Sequence, residues 1–215
     1  MDITSTPLLT ARDAARHLRM PESTLDTWIV GSQDSQPLIH AVEPDRRGWP
    51  RLPFVAIVEA YVLRSLRDLG ARMHDIRLGA DLVRKEFGDE YALASQRMAT
   101  DGVELFVELA DKSLLHVRGN QYGIREVLND HLRFVRWDDR GRPRQLQLRQ
   151  YPDEARVIID PRFGWGSPVL SRSKVPVDAV LQLWRTGEPM AVVAEEYGLS
   201  ESVVEDVLRA ASTAA

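Results

Sequence analysis

The sequence predicts an α+β protein that is mostly α, with a helix-turn-helix near each end and β-hairpins between them. Apolar residues recur at helical spacing in the first and last parts of the chain, and short apolar runs flank polar turns in the middle. The composition, 44% hydrophobic and 28% charged among 215 residues, is that of a globular protein that buries a core. We expect an N-terminal winged helix-turn-helix with two following helices (1–88), a middle β-hairpin region (89–155) and a C-terminal three-helix helix-turn-helix domain (156–215).

The composition also excludes several classes of protein. The chain has no cysteine, which rules out disulfides, thiolate metal sites and cysteine nucleophiles, and which fits a reducing compartment. Residues 1–18 lack the basic start and uninterrupted apolar core of a signal peptide, and no apolar run reaches the length of a membrane span. We therefore expect a cytoplasmic protein. The net charge of −4 argues against a generally basic nucleic-acid coat, but it allows a local DNA footprint.

Two short helices with a tight turn between them are predicted at the N-terminus. Thr10 can cap the first helix, with Asp13 at the third position of a capping box. Pro21 suits the first turn of the second helix, and Gly31 ends it. This arrangement is the signature of a helix-turn-helix.

A wing is predicted directly after the second helix. A strand at 37–42, a polar turn at 43–48 and a strand at 49–52 form a hairpin pattern. Apolar helices are then predicted at 54–69 and 73–87, each ended by a glycine.

The middle region changes character. A hairpin is predicted over 103–117 and a short helix over 124–131. In a further hairpin, strands at 132–137 and 145–149 flank the polar turn 138–143. Leucine alternates with glutamine in the last of these strands, which is the period of a half-buried strand.

The C-terminal region begins with a short strand at 157–159 and a turn-rich segment. Helices are predicted at 176–185 and 189–197, and Ser200 caps a third helix that ends near residue 211. Three short helices with these breaks again indicate a helix-turn-helix.

The N-terminal unit contains the candidate DNA-binding residues. In such a unit the early residues of the second helix reach base edges in the major groove. Here they carry hydroxyls, which contact phosphates or either type of base. Arginines lie at helical spacing on the first helix and cluster on the wing, so two basic patches flank the second helix; the alternative is that they are ordinary solvated surface. The candidates are Arg12, Arg16, Arg19, Ser23, Thr24, Thr27, Arg46, Arg47, Trp49 and Arg51.

Two tryptophans belong to this unit. Trp28 lies three residues after Leu25, and this spacing favours a core position over stacking on a sugar or base. Trp49, on the wing, is less easily buried and is the better aromatic contact for DNA.

The third helix of the C-terminal unit has the opposite charge. This helix carries three acidic residues and one basic residue, namely Glu201, Glu205, Asp206 and Arg209. Acidic side chains are repelled by the phosphates of DNA. We expect these four residues to bind a protein partner, either a second copy of the chain or a toxin. The alternative is that the acids only solvate an outer face above a valine-rich core.

No catalytic or metal site is predicted, and we expect neither enzymatic activity nor a cofactor. The five histidines are scattered and show no metal-ligand spacing. Asp138 and Asp139 lie on a hairpin turn, where a turn role is favoured over catalysis. No phosphate-binding glycine loop is present, since no lysine-bearing helix start follows Gly164.

The C-terminal residues resemble a known family, the domain of unknown function numbered 433. Its members are small helix-turn-helix proteins, and many are antitoxins of bacterial toxin–antitoxin pairs. The chain departs from the family at Arg172-Ser173-Lys174, where the family has Gly-Thr-Arg, so any role of that turn does not carry over unchanged. The resemblance is carried by Val157-Ile-Ile-Asp-Pro161, Gly166-Ser-Pro-Val-Leu170, Val175-Pro-Val177, Glu195-Glu-Tyr-Gly-Leu-Ser200 and Val203-Val-Glu-Asp-Val-Leu208.

The N-terminal segment is similar to the MerR-type winged helix-turn-helix, through the start of helix one, Trp28 and the Arg-Gly-containing wing. With both segments in one chain, the architecture resembles that of longer VapB-type antitoxins. Such antitoxins neutralise PIN-domain ribonuclease toxins in type II pairs and repress their own promoters. The resemblance thus implies a double-stranded DNA operator and a cognate toxin as partners.

We also expect a homodimer, because operators are commonly two-fold, with the helix 54–69 and the middle hairpins as candidate interfaces. The alternative function is a stand-alone MerR-like transcriptional regulator whose middle region binds a small ligand or a protein.

Overall fold

The structure is a computed structural model, and it describes residues 1–31, 36–102 and 129–212. About half of the described residues are helical, short helical turns included, in a mixed α+β fold. The helices are α1 (Ala11–His17), α2 (Glu22–Val30), α3 (Phe54–Asp68), α4 (Met73–Phe87), α5 (Val177–Arg185), α6 (Met190–Tyr197) and α7 (Glu201–Ser212). The strands are β1 (Pro7–Leu9), β2 (Leu52–Pro53), β3 (Val135–Trp137), β4 (Pro143–Gln147), β5 (Val157–Ile159) and β6 (Val169–Leu170).

The helix-turn-helix forms where the sequence predicts it. The Asp13 N–H donates to Thr10 Oγ1 at 3.1 Å, which confirms the cap of α1. Gly31 ends α2 at φ 78°, in the left-handed region that favours glycine. Leu25 and Trp28 are buried, so Trp28 packs the core as its spacing predicts.

The prediction of a wing hairpin is wrong, because the predicted strands 37–42 and 49–52 do not pair as strands. Leu38 and Ile39 are consecutive buried residues rather than an alternating strand, and both of their N–H groups point to the Trp28 carbonyl. The partner of β2 is β1, from the start of the chain, in an antiparallel two-stranded sheet. Residues 40–51 form an irregular loop, closed by a 2.9 Å hydrogen bond from Val42 N–H to the Arg51 carbonyl. We call it the wing loop; its prolines lack the N–H that a strand ladder needs.

The helix α3 is the centre of the core. Its residues from Phe54 to Leu63 are all buried, although the helix also carries a glutamate. The apolar surface of α3 is covered by the chain's own residues, so this helix cannot be the dimer interface considered from the sequence. An element that is apolar on all sides belongs in a core.

A four-stranded antiparallel sheet joins the middle of the chain to its C-terminal part. Its order is β3-β4-β5-β6, and Leu146 of β4 is paired with Ile159 of β5. The hairpin of β3 and β4 confirms the prediction for residues 132–149. The boundary expected between residues 155 and 156 therefore lies within one sheet, and the two regions share backbone hydrogen bonds.

The helices α5, α6 and α7 form a compact three-helix unit, as predicted. Gly198 adopts φ 61° after α6, and Val193, Val204 and Val207 are buried between the helices. The predicted hairpin at 103–117 lies outside the described residues, as does most of the predicted helix at 124–131. Along the parts of the chain that the structure describes, no helix is long and apolar enough to cross a membrane.

Candidate nucleic-acid interface

The outer face of α2 carries the hydroxyls that the sequence predicts. Ser23 and Thr27 are exposed, and Thr24 is half-buried. The Thr27 hydroxyl donates to the Ser23 carbonyl at 2.8 Å, which leaves its lone pairs free to accept a hydrogen bond from outside. The inner face packs on α1 through Leu25 and Trp28, so the exposed face is held rigidly.

Two arginines of α1 stand beside this face. Arg12 Nε lies 3.3 Å from Glu22 Oε2, and the Arg12 side chain is 81% exposed. Arg16 Nη2 lies 3.5 Å from Asp13 Oδ1. Exposed pairs of this kind are worth little in water, so both guanidinium groups can exchange a carboxylate for a phosphate at small cost.

The wing loop carries a second basic group. Arg46 and Arg47 are exposed, and the Arg46 guanidinium lies 5.3 Å from the centroid of the Trp49 ring. Trp49 is 49% exposed, as expected for an aromatic side chain outside the core. The Arg51 side chain is half-buried, and its Nε is buried with no hydrogen-bond partner among the described residues. Arg46, Arg47 and Trp49 are thus more accessible than Arg51.

A buried carboxylate anchors the start of the wing loop. Glu59 of α3 is fully buried, and its Oε2 accepts the His40 N–H at 2.9 Å, while its Oε1 lies 2.8 Å from His40 Nδ1. Arg84 Nη2 lies 3.6 Å from Glu59 Oε1 and donates to the Leu38 carbonyl at 2.5 Å. Sequence reasoning missed this contact, although a lone acid inside an apolar helical stripe is a signal for a buried polar anchor.

Arg19 has a different environment from the one predicted. Its Nη2 donates to the carbonyl oxygen of Ala210 in α7 at 2.9 Å, so the side chain, although exposed, is directed to the C-terminal unit. Its backbone has φ 50° just after α1, in the left-handed region. A carbonyl near the C-terminal end of a helix lacks an intrahelical donor, and a cation is favourable there.

The acidic side of α7 is accessible. Glu201 and Glu205 are exposed, and Asp206 is half-buried. Arg209 forms an ion pair with Glu205 one turn away. The arrangement therefore leaves Glu201 and Asp206 as the acids that most define the charge of this face.

Nothing in the described parts of the chain points to a metal centre. No group of three or more His, Asp or Glu side chains that could hold a metal ion is found among these residues. His40 is hydrogen-bonded to Glu59 through both its backbone N–H and its ring.

Both ends of the chain match known families. A family described as "Putative DNA-binding HTH domain" matches residues 7–79, and one described as "Protein of unknown function (DUF433)" matches residues 157–210. The second match confirms the resemblance that the C-terminal motifs indicate.

A curated protein and a solved structure resemble almost the whole chain. The "Putative antitoxin VapB45" of Mycobacterium tuberculosis (strain ATCC 25618 / H37Rv) is 36% identical over 225 residues, which cover 95% of this chain and 93% of that protein. The X-ray crystal structure of Rv2018 from Mycobacterium tuberculosis has a TM-score of 0.82 and 33% identity, and the match covers 96% of this chain and 100% of that chain.

Proposed function

Because this chain belongs to the family of the antitoxin VapB45, we propose that it is a DNA-binding antitoxin of a type II toxin–antitoxin pair. The observation that carries the proposal is identity along nearly the full length of an antitoxin, combined with a helix-turn-helix that matches a DNA-binding family. On VapB-type precedent, the toxin is a PIN-domain ribonuclease, and the antitoxin represses its own promoter.

The proposed DNA surface combines α2 with its two basic neighbours. Ser23 and Thr27 enter the major groove, and the flanking arginines hold the phosphates on either side. Arg19 and Arg51 contribute less, since one donates to α7 and the other is half-buried. The DNA surface consists of Arg12, Arg16, Ser23, Thr27, Arg46, Arg47 and Trp49.

The proposed toxin surface is the acidic side of α7. Glu201 and Asp206 are not engaged by a basic side chain within ion-pair distance among the described residues. An acidic helix repels DNA but attracts a basic protein surface, and complementary charge speeds association. We therefore propose that DNA and toxin bind to separate units of one chain. Operators with two-fold symmetry also lead us to propose a homodimer.

Co-purification tests the antitoxin assignment. The tagged full chain is co-expressed with the product of the adjacent small reading frame, and RNA cleavage by that product is measured with and without the chain. Capture together with loss of cleavage supports the proposal. A neighbour that is not captured, or a captured neighbour whose cleavage continues, contradicts it.

Autorepression has a separate test. Binding of the full chain to the promoter fragment of its own gene is compared with binding to a shuffled fragment of equal length and composition. A preference for the promoter of about a thousandfold is the scale of specific recognition. Equal binding to both fragments contradicts autorepression and leaves the toxin test unaffected.

A further inference from the structure

A polar cleft opens at the meeting point of the N-terminal and middle parts of the chain. It has a volume of about 350 Å³, within the range of small-molecule sites. Its walls come from the end of α1, from α3, from His131 just before β3 and from the segment after β4. The principal lining residues are His17, Arg19, Tyr61, Arg64, Arg149 and Gln150.

The charge of the cleft is positive. Its lining contains three arginines but only one carboxylate, Asp68. Arg64 Nε lies 3.4 Å from Asp68 Oδ2, and both side chains are partly exposed. An anionic ligand can therefore replace Asp68 as the partner of Arg64 at small cost. Arg19 and Arg149 have no acid within ion-pair distance in the described part of the chain, and the Arg149 guanidinium lies 5.7 Å from the centroid of the Phe134 ring.

Neutral hydrogen bonds hold the walls in place. The Tyr61 hydroxyl donates to the His131 carbonyl at 2.8 Å, and Gln150 Nε2 donates to the His17 carbonyl at 3.0 Å. Tyr61 belongs to the buried helix α3, so the floor of the cleft is rigid. These bonds fix a cavity lined by the guanidinium groups of Arg64 and Arg149, while Arg19 at the rim also donates to the Ala210 carbonyl.

We propose that this cleft binds a small polyanion that carries at least one phosphate group, with Arg64 and Arg149 as its main ligands and Arg19 at the rim. A guanidinium offers planar paired donors that match phosphate oxygens, and a partly enclosed site strengthens the attraction. The volume exceeds that of a single ion and fits a compact phosphorylated molecule.

The cleft is separate from the proposed DNA surface. None of its lining residues belongs to α2 or to the wing loop. The inference therefore does not rest on the antitoxin role, and it holds or fails independently of it.

Thermal unfolding of the full chain with inorganic pyrophosphate as probe tests the site. Ionic strength is held constant with sodium chloride, and divalent cations are removed with a chelator. We expect the Tm to rise with the logarithm of pyrophosphate concentration, since a ligand that binds only the folded state stabilises it. Binding is measured directly by isothermal titration calorimetry, with orthophosphate as the simpler comparison.

Two double variants make the test specific. Arg64→Gln/Arg149→Gln should weaken pyrophosphate binding by at least about tenfold, the effect of about 1.4 kcal/mol. The matched control Arg136→Gln/Arg144→Gln removes the same charge from exposed positions on β3 and β4 and should bind like the parent. Equal weakening in both variants, or no saturable binding to the parent, overturns the proposal. Calorimetry on the folded fraction keeps the test valid if a variant is less stable.

A DNA titration distinguishes a free polyanion from the DNA backbone. Without pyrophosphate, Arg64→Gln/Arg149→Gln should bind the promoter fragment with the parent's affinity and salt dependence. If this variant lowers the salt slope, the arginines contact DNA phosphates and the small-molecule site is wrong.

Discussion

Arg19, in the turn of the helix-turn-helix, donates a 2.9 Å hydrogen bond to the carbonyl oxygen of Ala210, which lies 191 positions later in the chain. The contact joins the predicted DNA-binding unit to the last helix of the C-terminal unit. It also explains why a basic residue in a helix-turn-helix need not face DNA.

Arg19→Gln should reduce stability and leave DNA affinity nearly unchanged. The variant keeps the unbranched start of the side chain, so the backbone cost of φ 50° is unaltered while the hydrogen bond is lost. We expect a loss of about 0.5–1.5 kcal/mol in the free energy of unfolding by urea. Arg12→Gln, at an 81% exposed side chain, is the control and should show the reverse pattern. A large loss of DNA affinity in Arg19→Gln would mean that this residue contacts DNA.

Arg46→Ala/Arg47→Ala should weaken binding to the promoter fragment and flatten its dependence on salt. Each phosphate contact that is lost lowers the slope of log K against log salt by about 0.9. The measurement is a titration at several salt concentrations, with Arg136→Ala/Arg144→Ala as a control of equal charge. If the slope stays at the parent value, the wing loop does not contact the DNA backbone.

Glu201→Gln/Asp206→Asn should weaken capture of the toxin and leave promoter binding unchanged, since these two acids have no basic partner within ion-pair distance among the described residues. Deleting residues 157–215 would be a poorer test, because β5 pairs with β4 and the deletion would open the sheet. The dissociation constant for the co-purified toxin is measured by calorimetry. Toxin capture at full strength by this variant would mean that the acids only solvate α7.

Glu59→Gln should destabilise the chain more than the loss of an exposed acid does. The variant keeps the shape of the side chain but removes the charge that faces His40 and Arg84 inside the core. Hydrogen bonds to charged groups are worth about 1.5–3 kcal/mol, and we expect a loss of that size in urea unfolding. Asp101→Asn breaks an exposed pair with Arg97 and should cost at most about 1 kcal/mol. Similar losses of unfolding free energy in the two variants would show that the buried contacts of Glu59 stabilise the chain no more than an exposed ion pair does.

The stability of the chain should fall as the pH falls from about 6.5 towards 4. Burial, followed by repulsion from Arg16, lowers the pKa of His17 from 6.5 to about 4, despite the opposing charges of Asp13 and Asp178. Between these values the unfolded chain binds a proton that the folded chain excludes, so unfolding is favoured by up to about 3 kcal/mol. His17→Gln should flatten this part of the stability profile in urea titrations. Parallel profiles for parent and variant would contradict the assignment.

Local signals in the sequence predict most of the helices. The helix 73–87 is found at its predicted bounds, because its apolar spacing and the left-handed Gly88 are both local. The cap at Thr10 and the buried Trp28 also follow from spacing alone. Such features depend on neighbours within one or two turns.

Contacts between distant residues explain the failures. The sequence predicts a wing hairpin over 37–52, with 37–42 as its first strand, because the pairing of β2 with β1 cannot be read from either segment. The role of Arg19 depends on Ala210, and the cleft beside it draws its walls from four separate parts of the chain. Of the candidate DNA residues, the sequence supplies the chemical types, and the fold decides which of them are accessible.

The shared sheet has a consequence for building hybrid proteins from this family. A hybrid joined at residue 156 would pair β4 from one parent with β5 from another, so Leu146 and Ile159 would face unfamiliar neighbours. A junction placed before β3, at about residue 133, would keep all four strands from a single parent.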